Sequence, residues 1–122
     1  MKDTLNFDFC TLTVYNNHVI SVINEGVSLR PEHNDVLTQI AETYFKNQPF
    51  VYITNRVHSY SVDPKIYFET SKIPNLVGCA VVSSDYKAKN NAKIEKLFYS
   101  KPFEMFKTLD EAKEWANTIV QD

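Results

Sequence analysis

One stretch limits the architecture of this chain more than any other: Pro49-Phe-Val-Tyr-Ile-Thr-Asn-Arg-Val-His-Ser-Tyr-Ser-Val-Asp-Pro64. Phe50 to Ile53 is a short run of aromatic and β-branched residues, which suits a central strand covered on both faces. Asn55 to Val62 is a polar loop crowded with hydrogen-bonding groups. Asp63-Pro64 then predicts a helix start, an acid at the N-cap followed by proline at the first helical position. A buried strand that ends in a polar loop and turns into a helix is the repeating unit of an open α/β sheet, which binds ligands at the carboxyl ends of its strands. No residue set in the stretch specifies a reaction.

The remaining composition narrows the class. A chain of 122 residues has the size of one domain, and its 43% hydrophobic content is enough to bury a core without disulfides or metal. Residues 1-122 are therefore expected to form a single domain. The two glycines, Gly26 and Gly78, are too few for a Gly-rich phosphate loop. A formal net charge of −2 argues against nucleic acid as a partner, since such proteins carry a basic excess. No apolar run reaches the roughly 18 residues of a membrane span, and the first residues lack an apolar signal core. Cys10 and Cys79 have no metal or redox spacing, and read as buried thiols of a reducing compartment. The expected location is cytoplasmic.

The chain in order predicts ββαβαβαβα. Leu5 to Tyr15 reads as one strand whose alternation changes phase near Phe9, implying a bulge or burial on both faces. Asn16-Asn17 is a turn, and His18 to Asn24 is the second strand of a hairpin. Pro31 to Asn47 is the clearest helix, with Val36, Leu37, Ile40, Ala41 and Tyr44 on one stripe. After the Phe50 strand comes a short helix from Pro64 to Ser71. Leu76 to Val82 is a strand in which Gly78 allows close helix packing. Asp85 caps a helix reaching Tyr99, with Ile94, Leu97 and Phe98 facing inward. Phe103 to Phe106 is the last strand. Thr108 and Glu111 form a capping box for a helix that turns Leu109, Ala112, Trp115, Ala116 and Ile119 inward. The fold class is α/β: an opening hairpin, then β-α steps joined by right-handed crossovers, giving a mixed, mostly parallel five-stranded sheet with four helices.

Three places carry a resemblance. The hairpin ends in Ile23-Asn-Glu-Gly26; Phe50-Val-Tyr-Ile53 leads to a serine-bearing loop; and Pro102-Phe-Glu-Met-Phe-Lys-Thr-Leu-Asp-Glu-Ala-Lys-Glu-Trp115 closes the chain. In these features and in its element order the chain resembles the STAS domain (sulphate transporter and anti-sigma factor antagonist) and its SpoIIAA-like relatives, a family also described with the lipid-binding SEC14 fold. The resemblance implies a signalling or protein-binding role. Where anti-sigma factor antagonists hold an Asp-Ser-Ser-Gly-like phosphoacceptor, this chain has Ser59-Tyr-Ser-Val-Asp63. Ser59 and Ser61 are thus the candidate phosphoacceptors.

The candidate working face is Asn55, Arg56, His58, Ser59, Tyr60 and Ser61, expected as one exposed surface where the chain leaves the central strand. Arg56 offers a fixed charge, His58 a titratable ring, and the serines adaptable donors and acceptors. With none of these residues in a core, replacing Arg56, Ser59 and Ser61 by alanine is expected to leave the fold's stability unchanged. The bland alternative is that they are solvated turn residues and that Asp63 is only a cap. Tyr52, Tyr60, Tyr67 and Tyr86 are expected in the core or at its rim, with one or two lining a pocket. Lys87, Lys89, Lys93, Lys96 and Lys101 make a basic face, solvated or set against an acidic partner. His18, His33 and His58 fall in separate elements without HExxH spacing, so no metal is expected. No Gly-Xaa-Ser-Xaa-Gly elbow is present. The expectation is a non-enzymatic regulatory or interaction module with a protein partner and no cofactor. The alternative is a SEC14-like domain for a small lipid or apolar ligand. A homodimer is compatible with either.

Overall fold

The computed structural model describes residues 2–120. In chain order its elements are β1 (Asp3–Asn6), β2 (Cys10–Val14), β3 (His18–Ile23), β4 (Ser28–Leu29), a 3-10 turn at Pro31–His33, α1 (Asn34–Tyr44), β5 (Phe50–Asn55), β6 (Ser61–Val62), α2 (Ile66–Ser71), β7 (Leu76–Val82), α3 (Tyr86–Lys96), β8 (Phe103–Phe106) and α4 (Leu109–Val120). The fold is α/β, with a six-stranded sheet in the order β1-β2-β3-β5-β7-β8 and a separate pair, β4-β6. The first three strands are antiparallel neighbours. From β3 onward every neighbour is parallel.

The sheet has six strands and not five because Leu5 to Tyr15 is itself a hairpin. Leu5 pairs with Leu12 and Asn6 with Thr11, and the Phe7 amide donates to the Cys10 carbonyl at 2.8 Å. A pleat repeats every two residues, so a change of phase demands either an inserted residue or a reversal. The exposed Asp8 permits the reversal.

β3, β5, β7 and β8 follow one another across the sheet in one direction, and right-handed crossovers then put every connecting helix on the same side. Leu37 and Ile40 of α1, Ile66 and Tyr67 of α2, and Ala92 of α3 accordingly share one core with Leu12, Val14, Val19, Phe50, Leu76 and Val81. The opposite face carries α4 alone, where Ala112 and Ala116 pack on Ile20, Val51, Ile53, Ala80 and Val82. β5 therefore buries both faces, Phe50 toward one core and Val51 and Ile53 toward the other. Cys10 and Cys79 are buried free thiols, and burial pushes the Cys10 thiol up to about 11.

The local signals for helix starts are met at α3 and α4, whereas α2 begins at Ile66 with Lys65 at its N-cap and no side-chain cap, later than the expected start at Asp63-Pro64. Asp85 caps α3, accepting the Lys87 amide at 3.0 Å. Asp63 accepts the Lys65 amide at 3.1 Å in the turn before α2. Thr108 and Glu111 each accept the other's amide at 3.2 Å ahead of α4. Trp115 faces the sheet beside Phe106, with ring centroids 5.6 Å apart, but stays half-buried.

α3 departs from its predicted phase. Ile94 and Leu97 point to solvent, while Ala92, Glu95 and Tyr99 are buried. The core that Ala92 joins holds rings: Tyr67, Tyr99 and Phe103 stack edge to face, with centroids 5.5–6.2 Å apart. Phe98 is half-buried against Phe68 at 5.2 Å.

Gly78 permits the contact between β7 and α4. A Cβ there would lie 2.6 Å from Ile119 Cδ1 and 2.9 Å from Trp115 Cη2. Gly78→Ala should destabilise the fold by about 1–3 kcal/mol, as overpacking does, despite the entropy removed from the unfolded chain. Urea melts of G78A and of G78A with Ile119→Val test this. The second change should recover part of the loss.

Candidate functional site

β5 and β7 are parallel neighbours, so their carboxyl ends emerge side by side. The Arg56 amide donates to the Val82 carbonyl at 2.9 Å and joins the two exits. The loop that follows β5 is tied down by the small β4-β6 sheet. Gly26 donates to the Ser59 carbonyl, Ser61 to Val27 and Asp63 to Leu29, each at 2.9 Å. Gly26 sits at φ +79, where glycine avoids the penalty a side chain would meet. Between this loop and the start of α3 lies an open groove of about 700 Å³. One wall is Arg56, Val57, His58, Ser59, Tyr60 and Ser61; the other is Ser83, Ser84, Asp85, Lys87, Asn91 and Ile94.

All the sequence-predicted residues except Asn55, the last residue of β5, line this groove. They do not form one exposed surface. His58, Ser59 and Ser61 are exposed, whereas Asn55 and Tyr60 are partly buried. The Tyr60 hydroxyl lies 3.1 Å from Thr54 Oγ1. Arg56 departs most from expectation. Its side chain is 7% exposed and forms an ion pair with Glu95, whose side chain is 4% exposed. Arg56 turns inward because α3 brings a carboxylate over the end of the sheet, and a buried guanidinium must be paired.

The pair is part of a network. Tyr67 donates to Glu95 Oε1 at 2.7 Å, and Arg56 Nη2 lies 3.4 Å from the Tyr67 oxygen. The Arg56 guanidinium also sits over the Tyr60 ring, 5.6 Å from its centroid. Burial works against the charge on Arg56, but the surrounding tyrosine hydroxyls and Glu95 more than offset it, and its pKa rises. Burial, then Glu95, pushes the Tyr67 hydroxyl well above its usual range, so it remains a donor. Among the described residues Arg56 Nε has no hydrogen-bond partner. The groove thus has a stiff floor whose two charges cancel.

Its walls hold hydrogen-bond donors and acceptors, serines, His58 and Asn91 among them. Among the described residues no hydrogen bond joins His58 to a groove serine. No group of three His, Cys, Asp or Glu residues is placed to hold a metal, again among the described residues. Of the second wall the sequence marks Lys87, in the basic face, and Asp85, as a cap, but not that they face the loop after β5; Ser83-Ser84 directly before Asp85 is the further signal. Nothing local marks Glu95 as the partner of a residue 39 positions away.

Behind the loop, on the helical face of the sheet, an apolar cavity of about 40 Å³ is bounded by Phe9, Leu29, Tyr52, Tyr60, Ile66 and Tyr67 among others. Of the four tyrosines singled out, Tyr52, Tyr60 and Tyr67 border this cavity, and the Tyr86 side chain is outside the described residues. No described helix is long and apolar enough to cross a membrane. Comparison with protein-family models, with curated proteins and with solved structures gave no match to this chain.

Proposed function

We propose that the chain is a non-enzymatic regulatory or protein-interaction module of STAS-like type, whose working face is the groove between the loop after β5 and the start of α3. The observation that supports it is the character of that groove. It is open, about 700 Å³, and walled by serines, His58, Asn91 and Lys87 over a buried ion pair. Adaptable hydrogen-bonding groups on a stiff scaffold suit recognition of another protein's surface. Ser59 and Ser61, both exposed on the wall, are the hydroxyls through which phosphorylation would reset it. The apolar-ligand alternative has only the 40 Å³ cavity in its favour, about an eighth of the smallest ordinary ligand pocket.

The test replaces residues that carry no fold energy. His58→Ala, Ser59→Ala and Ser61→Ala together should move the melting midpoint by no more than about 2 °C, as exposed substitutions do. The same triple change should weaken, by at least about tenfold, binding of a partner captured from native lysate. Undiminished binding would place the function elsewhere on the surface.

A further inference from the structure

We infer that the segment received by this groove is an acidic peptide with apolar anchors, which continues from the groove along the outer face of α3. The inference rests on the groove being the working face and adds the chemistry of the partner.

The first ground is where the surface is apolar. Among the described residues the exposed large hydrophobic side chains are Val57 (63%), Phe68 (52%), Ile94 (55%) and Leu97 (81%). Isolated exposed apolar residues need no explanation, but a connected string marks a contact surface. Three of these, Val57, Ile94 and Leu97, form a string, and the Phe68–Phe98 pair lies beside its far end along the chain. Val57 and Ile94 line the groove. Leu97 lies three residues beyond Ile94, on the same side of the chain. Phe98 follows it and packs against Phe68. The string starts in the groove and leaves along α3.

The second ground is charge. Lys87 lines the groove, and Lys89, Lys93 and Lys96 are exposed on the same helix. The one acid of α3, Glu95, faces inward and is cancelled by Arg56. Within α3 the solvent-facing charges are therefore lysines, on a chain of net charge −2, and the one exposed carboxylate beside them is the N-cap Asp85 at the groove end. Lys93 and Lys96 stand in the last turn, where the helix dipole favours cations. Lys87 and Lys89 stand at the other end, where it disfavours them. Their position weakens the helix and suits an anionic partner, whose charges would complement the row. Because the string runs into a concave wall of Ser83, Ser84 and Asn91, a chain segment reaches all of it, whereas a flat bilayer would not.

A random peptide library panned against the full chain provides the probe, with selected peptides measured by fluorescence anisotropy. Enriched peptides should combine Asp or Glu with Leu, Ile, Phe or Trp. Their Kd should rise at least about tenfold with Ile94→Ser plus Leu97→Ser, as loss of apolar anchors does. It should rise several-fold, roughly, with Lys87→Glu plus Lys93→Glu or on raising salt toward about 0.5 M. All four positions are exposed, and circular dichroism checks that the variants fold. Neutral or basic consensus peptides, indifferent to the lysine reversals but lost in the His58, Ser59, Ser61 alanine variant, would overturn the partner chemistry and leave the groove as the working face. Peptides indifferent to every groove and α3 variant would overturn both. Leu97-dependent binding to phosphatidylserine vesicles, or Leu97-dependent dimers in sedimentation, without acidic peptides, would replace the inference with a membrane face or a self-contact.

Discussion

Glu95→Ala should lower the unfolding free energy by roughly 3–5 kcal/mol, the cost of leaving one charge of a buried pair alone. Arg56 would keep its guanidinium in a nearly closed site, with Tyr67 and the Tyr60 ring as its remaining neighbours. The effect should be sharpest at α3, whose buried side chains among the described residues are Ala92 and Glu95, with Tyr99 just beyond its end. Amide exchange in α3 should quicken before the sheet opens. Arg56→Ala should cost a similar amount. Replacing both, Arg56→Met with Glu95→Leu, should cost far less than either single alanine and could even stabilise, since a well-packed apolar pair avoids the desolvation penalty. Urea denaturation of the three variants gives the comparison. Singles that lose less than about 1 kcal/mol, the size of an exposed pair, would mean that water reaches the site. It follows that Arg56 does not belong in a surface-only alanine set, contrary to the expectation from sequence.

The second large effect is a dependence on pH. His18 is buried on β3, and its ring stacks on Tyr15 with centroids 4.6 Å apart. Nδ1 lies 2.7 Å from Asn17 Oδ1. The Asn17 amide nitrogen donates to Asn117 at 2.7 Å, which turns Asn17 Oδ1 toward His18 Nδ1 as the acceptor for a proton on that nitrogen. Nε2 is buried without a partner among the described residues. Burial, then the charge of Lys113, lowers the His18 pKa from 6.5 to about 4. Between those values the unfolded chain binds the proton and the folded one does not, so stability rises with pH through that window. The contribution is complete above about pH 6.5 and is lost as pH falls toward 4, by roughly 3 kcal/mol in all. His18→Phe keeps an aromatic ring beside Tyr15 and removes the titration. Its stability should fall less than that of the parent between pH 7 and 4, because the carboxylates titrating in the lower part of the window are common to both. Parallel pH slopes for the two proteins would show that His18 takes up its proton over the same pH range in the folded and unfolded chains.

What the sequence determined was local. The apolar run Phe50 to Ile53 determined a strand buried on both faces, because nothing polar in it tolerates exposure on either side. Asp85 and the Thr108–Glu111 pair determined where two of the helices begin, because a cap acts within one turn of its own residue. The stripes of α1 and α4 followed from spacing alone. Tertiary structure decided the rest. It made Leu5 to Tyr15 two strands, since alternation reports a change of phase without saying whether the chain bulges or reverses. It paired Ser28–Leu29 with Ser61–Val62, a contact too short to have a pattern of its own. It turned Arg56 into the interior to meet Glu95, and it gave the inner side of α3 to Ala92, Glu95 and Tyr99 while Ile94 and Leu97 went to solvent. Which face of a helix is buried depends on its neighbours across the core, and here those are the packed rings of Tyr67, Tyr99 and Phe103 with the Arg56 charge that Glu95 must meet.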